Sequence, residues 1–191
     1  MVRVGADLGF SRFPASLGTL VLAIIFGGRS TPTTMRGGRR VVITGIGVVS
    51  PIGIGKDAFW ESLVAGKSGV DYVSAFDASQ YACKVAGEVK GFKATDFVSQ
   101  RRTAIMGRFS QFALAATRLA LEDAKLSITP DLSPRVGICY GTSVAGLDLV
   151  FSGFPDFLKG GVAAVKPWTA LEAIPLYRNV ARSYGLADRT V

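Results

Sequence analysis

The residues able to do chemistry in this chain are few. It contains no histidine, so no Ser–His–Asp triad, no Cys–His dyad and no His-ligated metal site can be assembled from its own side chains. Its two cysteines, Cys83 and Cys139, sit in apolar, strand-like runs. Cysteine packs as a small hydrophobe, so both read as buried free thiols. Their placement gives a disulfide no support. The glycines are more suggestive. In 39–55, RRVVITGIGVVSPIGIG, Gly45 and Gly47 match the first two positions of a dinucleotide fingerprint. That fingerprint needs a third glycine and a helix that opens directly on the pyrophosphate. Ser50 stands at the third position and Pro51 blocks a direct continuation into a helix. No G-x-x-x-x-G-K-[ST] loop occurs anywhere in the chain. No nucleotide, metal or other cofactor is therefore expected.

The elements that must position any site begin with that same stretch. Val41, Val42 and Ile43 form a continuous apolar run, as a strand buried on both faces would. The following Thr-Gly-Ile-Gly and Ser-Pro then read as strand end and turn, the opening of an α/β domain. Asp57 can cap a helix through Ala65, with Phe59, Trp60, Leu63 and Val64 as its apolar positions and Gly66 as a left-handed stop. Residues 70–76 and 83–89 read as short extended pieces. The spacing predicts one long helix over 101–125, apolar nearly all round and so buried on most sides, with alanines that allow close neighbours. A second buried strand is expected at 135–140 (RVGICY), followed by the glycine-rich turn 141–146 (GTSVAG). A helix over 147–158, a flexible connection over 159–166 and a helix over 168–184 follow. Residues 189–191 look like the start of another strand.

Net charge is +8, but the basic residues are scattered and no run of five exists. Without a basic stripe or interleaved aromatics, nucleic-acid binding has no support. The chain is 49% hydrophobic with 23 glycines, which suits a substantial core with many tight turns, and its length suits about one domain. Residues 1–38 differ from the rest. Arg3 and Arg12 precede ASLGTLVLAIIF at 15–26, which resembles a signal peptide. The run is short of the ~20 apolar residues of a membrane span, and no A-x-A cleavage site follows it. Met35 would give a compact start, so a non-native leader is the favoured reading over a working signal or anchor. On that reading 1–34 is dispensable for folding, membrane association is not expected and the location is cytoplasmic.

Taken together, 39–191 resembles the N-terminal part of the β-ketoacyl-acyl-carrier-protein synthases, of the elongating, synthase II-like type. The carriers are RRVVITGIGVVSPIG (39–53), FWESLVAGKSGV (59–70), FDASQY (76–81), AGEVKGF (86–92), MGRFSQFALAATRLALEDAKL (106–126), RVGICYGTSVAGL (135–147) and YGLADRTV (184–191). Seven blocks in order are specific where no single one would be.

The resemblance implies a thiolase-like α/β fold of two similar halves. This chain would be an incomplete N-terminal half with a mixed sheet and flanking helices. It also implies decarboxylative Claisen condensation of acyl and malonyl thioesters in fatty-acid or polyketide assembly, with an acyl carrier protein and a homodimer partner. In the family a lowered-pKa cysteine takes the acyl chain and two histidines stabilise the enolate oxygen. The resemblance places that cysteine just beyond 189–191 and both histidines in the second half. No catalytic residue is therefore assigned here. It puts Val144 where the glycine-rich turn presents an apolar side chain to the acyl channel as a gate on chain length. Gly107 stands where an acidic residue is usual, Ser143 and Ala145 where glycine is common, and 166–182 keeps only loose similarity. A missing half would leave the 101–125 helix with an uncovered apolar face. Two alternatives accompany this reading: a non-catalytic partner subunit resembling chain-length factors, and a secreted or anchored binding protein resting on 15–26 alone.

Overall fold

The computed structural model describes residues 21–27, 42–141, 146–167, 169, 180, 183 and 184. Val144, most of the helix expected over 168–184 and the strand expected at 189–191 lie outside them.

Strand β2 (Val42–Ser50) is the centre of the fold. Strand β1 (Val21–Gly27) pairs with it antiparallel, from Val21 opposite Val49 to Gly27 opposite Val42, with an irregularity between Ile25 and Phe26. The leader was expected to stand apart from the domain, yet its apolar run supplies a strand of the sheet. β-Branched and aromatic residues without charge or proline are what an edge of β2 can pair with. On the other side β2 turns through Pro51 and Ile52 into β3 (Gly53–Ile54), antiparallel with Ser50 opposite Gly53. Ser50 Oγ donates to the Gly53 carbonyl at 3.0 Å, so Ser-Pro makes the expected turn.

β2 is not buried on both faces as its apolar run suggested. Val48 and Val49 are buried, but Ile43 is 54% exposed and Val42 and Ile46 are also exposed. Helix α1 (Lys56–Val64) starts from Gly55 with no side-chain cap, leaving Asp57 in its first turn. Gly66 does take the left-handed conformation, at φ +65°. The apolar positions predicted for α1 are largely wet: Trp60, Leu63 and Val64 are exposed, while Ser62 is buried. Strands β4 (Val70–Tyr72) and β5 (Val85–Gly87) form a separate antiparallel ladder. All described pairings are antiparallel.

The long helix predicted over 101–125 is two: α2 (Gln100–Thr103) and α3 (Arg108–Asp123). Gly107 is extended, at φ −61° and ψ 151°, and starts α3 afresh. The expectation of all-round burial holds for α3, where Ser110, Phe112–Ala116 and Ala120 are buried. Its small residues let the helix lie directly on β2. An added Cβ at Gly45 would stand 2.3 Å from the Ala120 carbonyl oxygen, and at Gly47 1.9 Å from that of Ala116. Core clusters lie to either side of α3. Val49, Val89, Phe112, Ala115 and Ala116 form one. Val98, Met106, Ala113, Leu114 and Val180 form the other.

Residues 136–141 form no ladder, although a buried strand was expected there. The segment alternates strictly, Val136, Ile138 and Tyr140 half-buried and Gly137, Cys139 and Gly141 exposed. Cys139 and Cys83 are thus both exposed free thiols rather than buried ones: Cys139 falls on the solvent side of the alternating 136–141 run, and Cys83 lies in a stretch, 81–85, that is exposed throughout. Helix α4 (Leu147–Gly160) runs unbroken through Gly153 and Pro155. It carries the exposed apolar stripe that was expected of α3: Val150, Phe151, Phe154 and Leu158 are 46–69% exposed.

Asp123, at the end of α3, closes the open side of β2. Its carboxylate accepts the Ile46 N–H at 3.0 Å and the Lys56 ammonium. The Lys56 hydrogen bond, then that of Ile46, holds the Asp123 carboxyl below its ordinary value. A carboxyl depressed in the fold contributes stability in full above its unfolded value, about pH 4, and loses it as pH falls through the lower folded value. As pH falls from 6 to 2, urea midpoints should therefore drop more steeply for the parent than for Asp123→Asn. Parallel curves would contradict this role.

Candidate functional site

A cleft among the described residues brings charged and aromatic groups together at the start of two helices. It lies between β5, the start of α3 and the start of α4, with a volume of about 740 Å³. Phe109, Phe112 and Leu147 supply its apolar wall, and Glu88, Lys90 and Arg108 its charged rim. The helix starts are tied to each other. Asp148, in the first turn of α4, accepts the Arg108 N–H of α3 at 2.9 Å. A carboxylate there suits the positive end of the α3 dipole. Gly146 takes the left-handed φ of +72° that lets the chain enter α4 from the glycine-rich turn.

Arg108 spans the cleft floor. Its Nη2 donates to the Val89 carbonyl at 2.9 Å, and its guanidinium lies 4.8 Å from the Phe112 ring centroid. Such a stacked cation keeps an aromatic floor in place while holding positive charge at the rim. Glu88 accepts from Ser74 Oγ at 2.6 Å and from the Ser74 and Ala75 N–H groups. Those bonds, led by the Ser74 hydroxyl, hold its carboxyl below the ordinary range. Lys90 pairs with Asp71 at 2.6 Å; that bond raises the lysine and lowers the aspartate.

These bonds favour the charged forms of Glu88 and Lys90, which suits them to binding and positioning. Glu88 is committed as an acceptor to the backbone of its own hairpin. Two half-buried tyrosines are tied to α3 instead. Tyr184 Oη donates to the Leu114 carbonyl at 3.1 Å, and burial pushes it up to about 12. Tyr140 also bonds an α3 carbonyl, at Ala113, and burial raises it too. Cys83 and Cys139 are not cleft residues. Among the described residues no group of three or more His, Cys, Asp or Glu could hold a metal. No described helix is long and apolar enough to cross a membrane.

Val144, the residue assigned to the acyl channel, lies outside the described residues. Gly146, two positions further along the chain, lines the cleft. Sequence reasoning gives Arg108 and Asp148 no role; Arg108 is legible as part of the MGRFSQFA block only. Asp123 reads, with Glu122, as an exposed helix end, whereas it accepts hydrogen bonds from Ile46 and Lys56.

The helix α3 laid on a central strand, with the loop-to-helix cleft beside it, defines a thiolase-like α/β fold. A solved β-ketoacyl synthase from Burkholderia phymatum matches it with a TM-score of 0.63 and 29% identity, over 77% of this chain and 37% of that one. A structure described as the ishigamide ketosynthase/chain length factor matches with a TM-score of 0.64 and 27% identity, over 76% and 37%. The family model for the β-ketoacyl synthase N-terminal domain matches residues 38–160. The chain belongs to the β-ketoacyl synthase family, of the elongating, synthase II-like type. The 3-oxoacyl-[acyl-carrier-protein] synthase 2 of Vibrio harveyi is 37% identical over 130 residues, 68% of this chain and 31% of that protein. The chain spans about a third of the length of the curated relatives it matches.

Proposed function

We propose that this chain is the N-terminal part of a β-ketoacyl-acyl-carrier-protein synthase of fatty-acid biosynthesis, acting in the cytoplasm. In this reading 39–191 is the incomplete domain and 1–38 a leader. The matched block over 38–160 carries it, and the cleft between β5, α3 and α4 gives it a physical site. Phe109, Phe112 and Leu147 form part of one wall of an acyl pocket, and Val144 in the adjoining turn gates chain length. Acyl and malonyl thioesters reach it on an acyl carrier protein, and a second subunit completes the dimer. The chain supplies scaffold and wall but no condensing chemistry by itself, because it has no histidine.

The test is a chimera in which 39–191 replaces the corresponding region of an active relative. It should condense, and Val144→Phe in it should slow long acyl thioesters by ~10-fold or more while sparing short ones, as a pocket loses volume. A folded chimera without condensation would refute the scaffold role; equal loss on all chain lengths would refute the gate. A second reading, a non-catalytic partner of a complete synthase, draws on the likeness to the ketosynthase/chain length factor structure. Co-purification with a complete synthase, without any gain from a complementary half, would favour it.

A further inference from the structure

Three pieces of chain meet at the cleft, and Arg108 joins two of them to α3. Its side chain ties β5 to the helix, through the Nη2 bond to the Val89 carbonyl at 2.9 Å. Its main chain ties α4 to the helix, through the N–H that Asp148 accepts at 2.9 Å. The third piece, Ser74 and Ala75, is fastened by the bonds that Glu88 accepts from both.

The bond to Asp148 answers a need set by the residue before α3. A helix begins with N–H groups that have no partner inside it, and the side chain at its start commonly satisfies one. Gly107 holds that place and has no side chain to offer. Nor is there room for one. A Cβ at Gly107 would stand 2.8 Å from Phe109 Cε1 and 3.2 Å from Leu149 Cδ1. Phe109 and Leu149 both close on the glycine, and the capping carboxylate comes from the other helix.

The first turn of α4 thus divides its work residue by residue. Leu147 lines the cleft, Asp148 caps α3 and Leu149 packs over Gly107. Phe109 and Phe112 line the same cleft from α3. The spacing of the two apolar walls therefore follows the way α4 meets α3. Apolar packing is non-directional, whereas a hydrogen bond fixes distance and angle. Asp148 supplies that fixed point.

We infer that Asp148 is a positioning residue: by capping α3 from α4 it sets the spacing of Leu147 from Phe109 and Phe112, and so the acyl chain length that the cleft accepts. The ligand class rests on the acyl-pocket reading above; the clasp between the helices does not.

Two measurements keep clasp and ligand apart. In amide hydrogen exchange on the full chain, the Arg108 amide should exchange ~5-fold or more faster in Asp148→Ala, as a capping bond is lost. The buried Ala113, Ala115 and Ala116 should keep their protection. Asp148→Asn retains a carbonyl oxygen in the same place and should stay close to the parent. In the chimera carrying 39–191, Asp148→Ala should flatten the preference among acyl thioesters of increasing length by ~5-fold or more, and Asp148→Asn should preserve it. A loss of rate equal at every chain length would show that Asp148 only supports the fold, and would overturn the inference. An Arg108 amide unmoved by Asp148→Ala would overturn it too. Faster Arg108 exchange beside a parent chimera that condenses nothing would refute the acyl-pocket reading and leave the clasp standing.

Discussion

Gly47→Val should lower the melting temperature of this protein by roughly 10–20 °C. A Cβ at Gly47 would stand 1.9 Å from the Ala116 carbonyl oxygen and 2.6 Å from the Ala120 nitrogen, both backbone atoms of a helix that cannot rotate away. Relief requires α3 to lift off β2, which uncovers Val48, Val49, Ala115 and Ala116, all 0–2% exposed. Overpacking of a well-filled core costs about 1–3 kcal/mol. Here the obstacle is main chain rather than a side chain that can change rotamer, so ~4–5 kcal/mol is expected. Against a total stability of ~5–15 kcal/mol that removes much of the fold's margin. Gly137→Ala is the matched control, because a Cβ there meets nothing within 4 Å. A Gly47→Val melt within a few degrees of the parent would mean that α3 does not pack on β2 as described.

The purified chain should form no condensation product from acyl- and malonyl-carrier protein. With no histidine in its sequence, no imidazole can donate to an enolate oxygen. Its exposed thiols, Cys83 and Cys139, are outside the cleft. Removing a nucleophile and its partners from an enzyme of this kind costs on the order of 10⁴–10⁶ in rate. Product formation should therefore match a no-protein control. Product above that control, lost on Cys83→Ala or Cys139→Ala, would show that a thiol here does the chemistry and would end the scaffold reading.

The class of fold was legible in the chain because it rests on local pattern. Residues 44–47 read as strand end and turn, but β2 runs through them to Ser50, and their glycines are where a helix backbone comes close. The alanine-rich run after Arg108 marked the helix that does so. Gly66 marked a helix stop, and Ser50-Pro51 a turn. These are short-range consequences of backbone freedom and side-chain size. The absence of catalytic histidine could likewise be read without any coordinates.

Burial and pairing could not, since both depend on what arrives from far along the chain. An apolar run states that a segment can be covered, not which side is. Trp60 and Leu63 have the spacing of a buried helix face and are exposed, because no described element covers α1 there. Cys139 has strand neighbours and is exposed, because only Val136, Ile138 and Tyr140 turn towards α3. The cleft depends on Asp148 meeting the Arg108 N–H across 40 residues, and no local pattern encodes such a meeting. Strand partnership is the clearest case. Segment 21–27 reads as part of a leader outside the domain, yet it pairs with β2 along its length. Only the tertiary structure decides, because an edge of β2 has one row of hydrogen-bonding groups and here β1 holds it.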